Sequence, residues 1–139
     1  MLRNYKGLKV WQKSYQLCLE VYQITKVFPK NEIYGLISQM RRAALSIPCN
    51  IAEGYGRKTT PEYLRALYIA YGSICELETQ VLLSGDLGYL ADKSLSKLQD
   101  DLGEVERMLK ALIKSLEYKP LNPRILEPFL PTNWEKNPK

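Results

Sequence analysis

The chain contains no histidine, and this absence narrows the chemistry open to it. Histidine is the commonest general base near neutral pH, the commonest neutral metal ligand and the base of Ser/His and Cys/His nucleophile pairs. Glu76 and Glu78 lie close together on one predicted helix, but a di-metal carboxylate site of the helix-bundle kind also needs Glu-x-x-His motifs. We therefore expect no enzymatic activity, no metal and no cofactor.

Cysteine is scarce, and no Cys-x-x-Cys pair occurs. A zinc ribbon or a thioredoxin-type redox pair is therefore not expected. Cys18, Cys49 and Cys75 each lie within a predicted helix beside apolar residues, which predicts buried free thiols in a reducing compartment. No apolar run is long enough to cross a bilayer, and the first residues lack the apolar stretch of a signal peptide. We expect a cytoplasmic protein with no membrane association.

Neither sign of charge dominates, because 20 basic residues stand against 15 acidic ones and the net charge is +5. An excess of this size permits attraction to nucleic acid but is common in proteins that bind none. With 139 residues, 45% of them hydrophobic, the chain is long enough to bury a core as one domain. Composition thus predicts a compact protein but does not indicate what it binds.

Two apolar stripes run along the first predicted helix, from about Leu8 to Phe28. One stripe has the three- and four-residue steps of an amphipathic helix and consists of Leu8, Trp11, Tyr15, Cys18, Tyr22 and Thr25. A second stripe beside it consists of Val10, Leu17, Val21, Ile24 and Phe28. Because one bundle seam needs only one stripe, we expect the second stripe to contribute to an oligomer interface. Pro29 ends this helix.

Two further helical patterns follow. The second predicted helix starts near Glu32 and ends at residues 54–56, where glycines favour a C-terminus. Pro48 falls inside it and removes a backbone hydrogen bond, so we expect one bent helix rather than two pieces. The third helix begins at Thr60-Pro61-Glu62, with a hydroxyl cap and an early proline, and runs to the glycine-containing breaker at residues 84–88.

A leucine-rich stripe marks the fourth predicted helix. Its steps alternate between three and four residues, as in a coiled coil, through Leu95, Leu98, Leu102, Val105, Leu109, Leu112 and Leu116. Helices of similar length joined by short turns are the sequence signature of an up-and-down bundle. We assign residues 1–118 to an all-α, antiparallel four-helix bundle.

Residues 119–139 form a proline-rich C-terminal tail. Its prolines exclude another helix and favour an extended conformation. The tail also carries the apolar residues Ile125, Leu126, Phe129, Leu130 and Trp134. Two interpretations stay open, docking of the tail on a groove and simple disorder.

A polar stripe of mixed charge lies on the second predicted helix. At about 100° per residue, Arg42, Glu53 and Arg57 fall near one line, with Asn50 at its edge. The favoured interpretation is structural, with Glu53 paired to Arg42 or Arg57 and to hydroxyl groups across a helix interface. The alternative is a charged recognition surface.

A basic turn precedes the third predicted helix. Arg57 and Lys58 lie next to backbone N–H groups and a helix dipole that favour an anion such as phosphate. A capped helix after a basic loop is also common in proteins that bind nothing. We expect any nucleic-acid contact to run through phosphates and to use Arg57 and Lys58, with Arg41 as a lesser candidate.

Several ordered motifs give the chain a family resemblance: Phe28-Pro29-Lys30, residues 39–43 (QMRRA), residues 50–57 (NIAEGYGR) and residues 72–77 (GSICEL). Over residues 5–118 the chain resembles the four-helix-bundle proteins encoded in intervening sequences of bacterial large-subunit ribosomal RNA genes. The resemblance implies a ring-shaped homopentamer of antiparallel four-helix subunits. It marks as pattern residues Arg41, Arg42, Asn50, Glu53, Gly54, Arg57 and Glu76.

The same resemblance suggests two functions. The fold is similar to that of the accessory protein of diversity-generating retroelements, which binds nucleic acid and a reverse transcriptase. We therefore expect a non-enzymatic homo-oligomer that binds RNA or structured nucleic acid through a basic surface. The alternatives are a protein-binding accessory subunit of a retroelement reverse transcriptase and a purely structural oligomer.

Overall fold

The structure, a computed structural model, describes residues 4–118, and 85% of them are helical. The α-helices are α1 (Lys9–Ile24), α2 (Leu36–Tyr55), α3 (Thr60–Asp86) and α4 (Asp92–Glu117), with 3₁₀ turns at Tyr5–Gly7, Thr25–Val27 and Lys30–Glu32. No strand occurs between residues 4 and 118. The all-α four-helix prediction is confirmed, and the predicted proline-rich tail lies outside the described residues.

Contacts between neighbouring helices join the start of one helix to the end of the next. Thus Arg41 bonds Thr25, Ser84 bonds Met40, and Tyr68 bonds Glu117. Lys97 of α4 reaches Glu20 of α1 at 3.2 Å, which closes the ring of four helices. Every neighbouring pair is therefore antiparallel.

Large aliphatic side chains fill the interior. Those fully buried include Leu17, Met40, Ile47, Ile51, Leu67, Ile74, Leu77, Leu98, Leu102 and Leu109. Burying one such side chain stabilises the fold by about 1.5–3 kcal/mol. The leucine-rich stripe of α4 is core as predicted, with Leu95 partly buried at its start.

Small residues bring α2 and α3 close together. A Cβ on Gly54 would lie 2.8 Å from the Cβ of Ala66 and 3.2 Å from the carbonyl oxygen of Tyr63. Farther along the same seam, the hydroxyl of Ser73 donates to the hydroxyl of Ser46 at 2.7 Å. This approach is possible only because position 54 carries no side chain.

The seam between α1 and α4 is the smallest between neighbouring helices, and it is polar. Lys97 binds Glu20 at 3.2 Å and Asp101 at 2.7 Å, while Lys13 lies 3.5 Å from Glu104. These side chains are mostly exposed, so the ion pairs contribute little stability. The seam thus depends mainly on the apolar residues beneath it.

The second helix starts later than its periodicity predicts. Gly35 has a non-helical backbone, and α2 begins at Leu36, whose N–H donates to the Glu32 carboxylate at 3.1 Å. The Tyr89 hydroxyl donates to the other Glu32 oxygen at 2.9 Å. These bonds, the backbone one first, lower the pKa of Glu32. Glu32 therefore caps α2 and ties it to the α3–α4 loop.

Helices α2 and α3 each continue through a residue that disfavours a helix. Helix α2 passes through Pro48 as a single element, as the sequence favoured. Helix α3 includes Ser84 and Gly85 and ends only at Asp86. It ends there because Gly88 has a φ of 78° and the Tyr89 N–H bonds back to the Ser84 carbonyl at 2.9 Å.

The prediction of buried thiols is correct for Cys18 alone. Burial raises the pKa of the Cys18 thiol, whereas Cys49 and Cys75 are exposed. Apolar neighbours in sequence misled the prediction, because residues next to each other on a helix point in different directions. Between residues 4 and 118, no helix is long and apolar enough to cross a membrane.

The close approach at Gly54 yields a matched test. We expect Gly54→Ala to destabilise the protein by about 1–3 kcal/mol, because the new methyl group meets Ala66 and rigid backbone. Gly72→Ala should instead stabilise it by about 0.5–1 kcal/mol, since α3 leaves open space there and alanine favours helix. Urea denaturation of both variants measures the difference, and equal effects would contradict close packing at Gly54.

Candidate nucleic-acid interface

The turn between α2 and α3 exposes Arg57 and Lys58. Helix α2 ends at Tyr55, and α3 begins at Thr60 with Pro61 in its first turn. The cap is Thr59 rather than the predicted Thr60, because the Thr59 hydroxyl accepts the N–H of Glu62 at 3.3 Å. The turn therefore presents its two cations beside a capped helix start.

Arg57 and Lys58 differ in their partners. The Arg57 guanidinium donates to the Glu53 carboxylate at 3.0 Å, and both side chains are about half exposed, at 50% and 58%. A surface pair of this spacing stabilises a helix by about 0.3–0.5 kcal/mol. Lys58 is exposed and makes no ion pair within residues 4–118. Neither cation therefore contributes much to the stability of the fold.

The antiparallel topology gathers further cations at the same end of the bundle. Together they form what we term the basic end: Lys6, Lys9, Arg57, Lys58, Arg65 and Lys114, all exposed. Among residues 4–118 the acids there are Glu53, Glu62 and Glu117, and Arg57 and Tyr68 already bond Glu53 and Glu117. The opposite end has as many cations, Lys26, Lys30, Arg41, Arg42, Lys93 and Lys97, but it also has more acids, Glu32, Asp86, Asp92, Asp100 and Asp101.

Arg41 lies apart from the basic end. Its Nε donates to the Thr25 hydroxyl at 2.9 Å, and its Nη2 donates to the Tyr22 carbonyl at 3.3 Å. It precedes Arg57 by sixteen residues, about 24 Å along a helix axis. The structure therefore does not join Arg41 to Arg57 and Lys58, and Arg41 serves first to hold the end of α1.

The predicted polar stripe divides into two groups. Asn50 donates its side-chain amide to the Ser46 carbonyl at 2.8 Å and to its hydroxyl at 3.0 Å, and Ser73 extends this network to α3. Asn50 therefore belongs to the α2–α3 seam. Arg42 and Glu76 are exposed and have no hydrogen bond or ion pair in the described part of the chain.

The structure corrects the expectation for the second stripe of α1. Val10, Leu17, Val21 and Phe28 are buried in the subunit's own core, and Ile24 is partly buried against it. The centre of the core falls on this stripe, so Tyr15 and Tyr22 of the first stripe point outward, 45% and 37% exposed. The exposed aliphatic side chains of the helices are instead Leu19 of α1, Leu45 of α2 and, most numerous, Ile69, Leu82 and Leu83 of α3.

Two groups of surface residues were missed by the sequence analysis. Lys6, Lys9, Arg65 and Lys114 lie at predicted helix ends, so the antiparallel order could have grouped them. The outward aromatic residues of α1 have the same helical spacing as its core residues. No local signal distinguishes the two stripes, because spacing alone does not show which stripe faces the core.

A carboxyl pair links α3 to α4. Burial raises the pKa of Glu78, and a hydrogen bond with Glu106 raises it further. That hydrogen bond is the main cause of the lowered pKa of Glu106, which also lies 3.2 Å from Lys110. Glu106 thus pairs with Glu78 across the seam between α3 and α4. Residues 4–118 hold no group of three acidic or thiol side chains placed to bind a metal ion.

Glu78 should make stability depend on pH. Because its pKa is raised in the folded state, its favourable contribution is present at low pH and is lost as pH rises through that pKa. We expect Glu78→Gln to raise the melting temperature near neutral pH, with a gain that shrinks as the solution is acidified. Glu76→Gln, at an exposed site two residues away, is the control. Thermal melts across pH test this, and a pH-independent gain would contradict it.

Comparisons with known proteins agree with this architecture. A family model described as the 23S rRNA-intervening sequence protein matches residues 6–111. The crystal structure of a protein of unknown function from the S23 ribosomal protein family of Bacteroides thetaiotaomicron VPI-5482 has a TM-score of 0.69 and 21% sequence identity. It covers 76% of this chain and 98% of its own, and at this identity it shows the fold alone. No curated protein matches the chain.

Proposed function

Since the chain belongs to the family of 23S rRNA-intervening sequence proteins, we propose that it is a non-enzymatic, homo-oligomeric bundle that binds RNA through its basic end. Membership confirms the resemblance that the sequence motifs predicted. The observation that carries the proposal is the excess of exposed cations over acids at one end of the bundle, where Arg57 and Tyr68 already bond two of the three acids among the described residues.

The chemistry of the basic end suits phosphate. Lys58 has no ion-pair partner among residues 4–118, and Arg57 can exchange a weak surface contact with Glu53 for a phosphate oxygen. Neutralising phosphates releases counterions, so affinity should fall steeply with salt. Phosphate contacts carry no sequence information, so binding should be weakly sequence-specific.

Self-association would strengthen this binding. One subunit offers few cations, but a ring repeats the basic end around an axis and raises the local field. We propose that copies meet through the exposed aliphatic side chains of α3, chiefly Ile69, Leu82 and Leu83, in a pentamer as the resemblance implies. We place the protein in the cytoplasm, because the exposed thiols of Cys49 and Cys75 suit a reducing compartment.

The exposed α3 surface also supports a second candidate, a protein-binding accessory subunit of a reverse transcriptase. Large apolar side chains left at a surface mark protein contacts, and a different polypeptide could cover them. Affinity capture of the intact protein, followed by RNA sequencing and mass spectrometry in parallel, separates the candidates. Enriched RNA without a polymerase supports the first candidate, and a captured reverse transcriptase supports the second.

Charge reversal at the basic end tests RNA binding. We expect Arg57→Glu with Lys58→Glu to abolish binding and to reduce the salt dependence, by about 0.7–0.9 in the log–log slope for each phosphate that the variant no longer neutralises. Lys30→Glu with Lys93→Glu changes the net charge equally at the opposite end and should have little effect. Fluorescence anisotropy with labelled RNA at several salt concentrations measures both. Wild-type protein with no salt-dependent binding at micromolar concentration would refute the proposal.

Two lysine substitutions distinguish a residue of the subunit core from a residue of the proposed contact between copies. Leu83→Lys should leave the helical circular dichroism spectrum intact but lower the mass seen by light scattering, because Leu83 is 46% exposed. Val21→Lys should unfold the subunit, because Val21 is fully buried. Wild-type protein with a mass near 16 kDa would contradict self-association.

A further inference from the structure

Four aromatic side chains line the outer face of α1 and the turn before it, and we term them the aromatic stripe: Tyr5, Trp11, Tyr15 and Tyr22. Tyr5 meets Trp11 edge-on at a centroid distance of 5.2 Å. Trp11 and Tyr15 are stacked at 5.1 Å with 24° between their planes. Tyr22 lies two helical turns farther along and holds the Arg41 guanidinium 4.9 Å from its ring centroid.

The stack is open at one end. Trp11 is partly buried against the core, which fixes the orientation of its ring. Tyr15 covers one side of Trp11 and is itself 45% exposed. A flat aromatic group added to the outer side of Tyr15 would continue an existing stack, with little loss of side-chain freedom.

The charges beside the aromatic stripe are cationic. Lys6 adjoins Tyr5, while Arg41 and Lys26 adjoin Tyr22. The acid of α1, Glu20, turns instead toward α4, where Lys97 binds it at 3.2 Å. A ligand along the stripe therefore meets aromatic faces and positive charge without a neighbouring uncompensated acid on α1.

The combination of aromatic faces and cations favours one kind of molecule over the others that could cover this surface. A second copy docked across a two-fold axis would bring Lys26 and Arg41 against Lys6 or against one another, which is repulsive in either case. A single-stranded nucleic acid is complementary, because its phosphates match the cations and its unpaired bases stack on the rings. In a duplex the base faces are hidden within the helix, so duplex RNA would gain nothing from the stripe.

From this geometry we propose that the aromatic stripe stacks unpaired bases and that the protein's RNA ligand is single-stranded. The inference rests on the proposed function. Tyr5 and Lys6 belong to the 3₁₀ turn at the basic end, so a strand held there by its phosphates continues onto α1. The stripe from Trp11 to Tyr22 then spans about 16 Å of the helix, enough for only a few bases.

The test measures how Tyr15 contributes to single-strand and duplex binding. The background is full-length Trp134→Phe, which leaves Trp11 as the only tryptophan. The probes are oligo(U) and a blunt RNA duplex of equal length. We expect oligo(U) to quench Trp11 fluorescence, and Tyr15→Ser to weaken oligo(U) binding about tenfold while duplex binding is unchanged. Tyr15→Phe keeps the ring and should retain full affinity.

Two controls locate the effect. Tyr34→Ser removes a tyrosine that is 93% exposed and outside the stripe, so it should change neither affinity. Arg57→Glu with Lys58→Glu should abolish the binding of both probes, because phosphates are common to both. Circular dichroism and light scattering of each variant show whether the fold and the mass are retained.

The outcomes distinguish this inference from the function on which it rests. Salt-dependent binding of both probes with no effect of Tyr15→Ser on oligo(U) affinity would overturn the stacking role and leave RNA binding intact. Failure of both probes to bind would overturn RNA binding as well. A fall in oligomer mass on Tyr15→Ser would identify the stripe as a contact between copies and would also overturn the inference.

Discussion

The contact of α2 with α3 at Gly54 is the constraint on which the rest of the bundle depends. Because a Cβ there would lie 2.8 Å from Ala66, only glycine permits this helix spacing. The spacing in turn allows Ser46 and Ser73 to bond across the seam. The turn that carries Arg57 starts two residues later, so the placement of the basic end follows from a contact between two of the smallest residue types in the chain.

The helices were predictable because their signals are local. Apolar spacing, prolines and glycines are read over a few residues, and they predicted all four helices, although α2 begins at Leu36 rather than near Glu32. The rotation of a helix about its own axis is different, since it is decided by packing against three other helices. Val21 and Tyr15 lie on stripes with equally good spacing, yet one is fully buried and the other is 45% exposed. Local sequence contains no information about that choice.

The contacts of the candidate site also divide into local ones, which the sequence predicts, and long-range ones, which it does not. The bond between Arg57 and Glu53 could be predicted, because residues four apart on a helix are neighbours. The cap of α2 could not be predicted, since Glu32 lies before a non-helical Gly35 and is held by Tyr89 of the α3–α4 loop. Arg41 has a distinctive place in the motif, but only the structure shows that it bonds the Tyr22 carbonyl and the Thr25 hydroxyl at the end of α1.

The polar seam between α1 and α4 has a consequence for the order of folding. Its bond between Lys97 and Glu20 joins residues 77 positions apart, whereas α2 and α3 meet across a short turn. Closing so long a loop carries a larger entropy loss, and the surface ion pairs that reward it are weak. The hairpin of α2 and α3 should therefore form early, and the seam between α1 and α4 should close last. In the native state this seam should be the first to open, so that the two outer helices of the chain part before either leaves its neighbour.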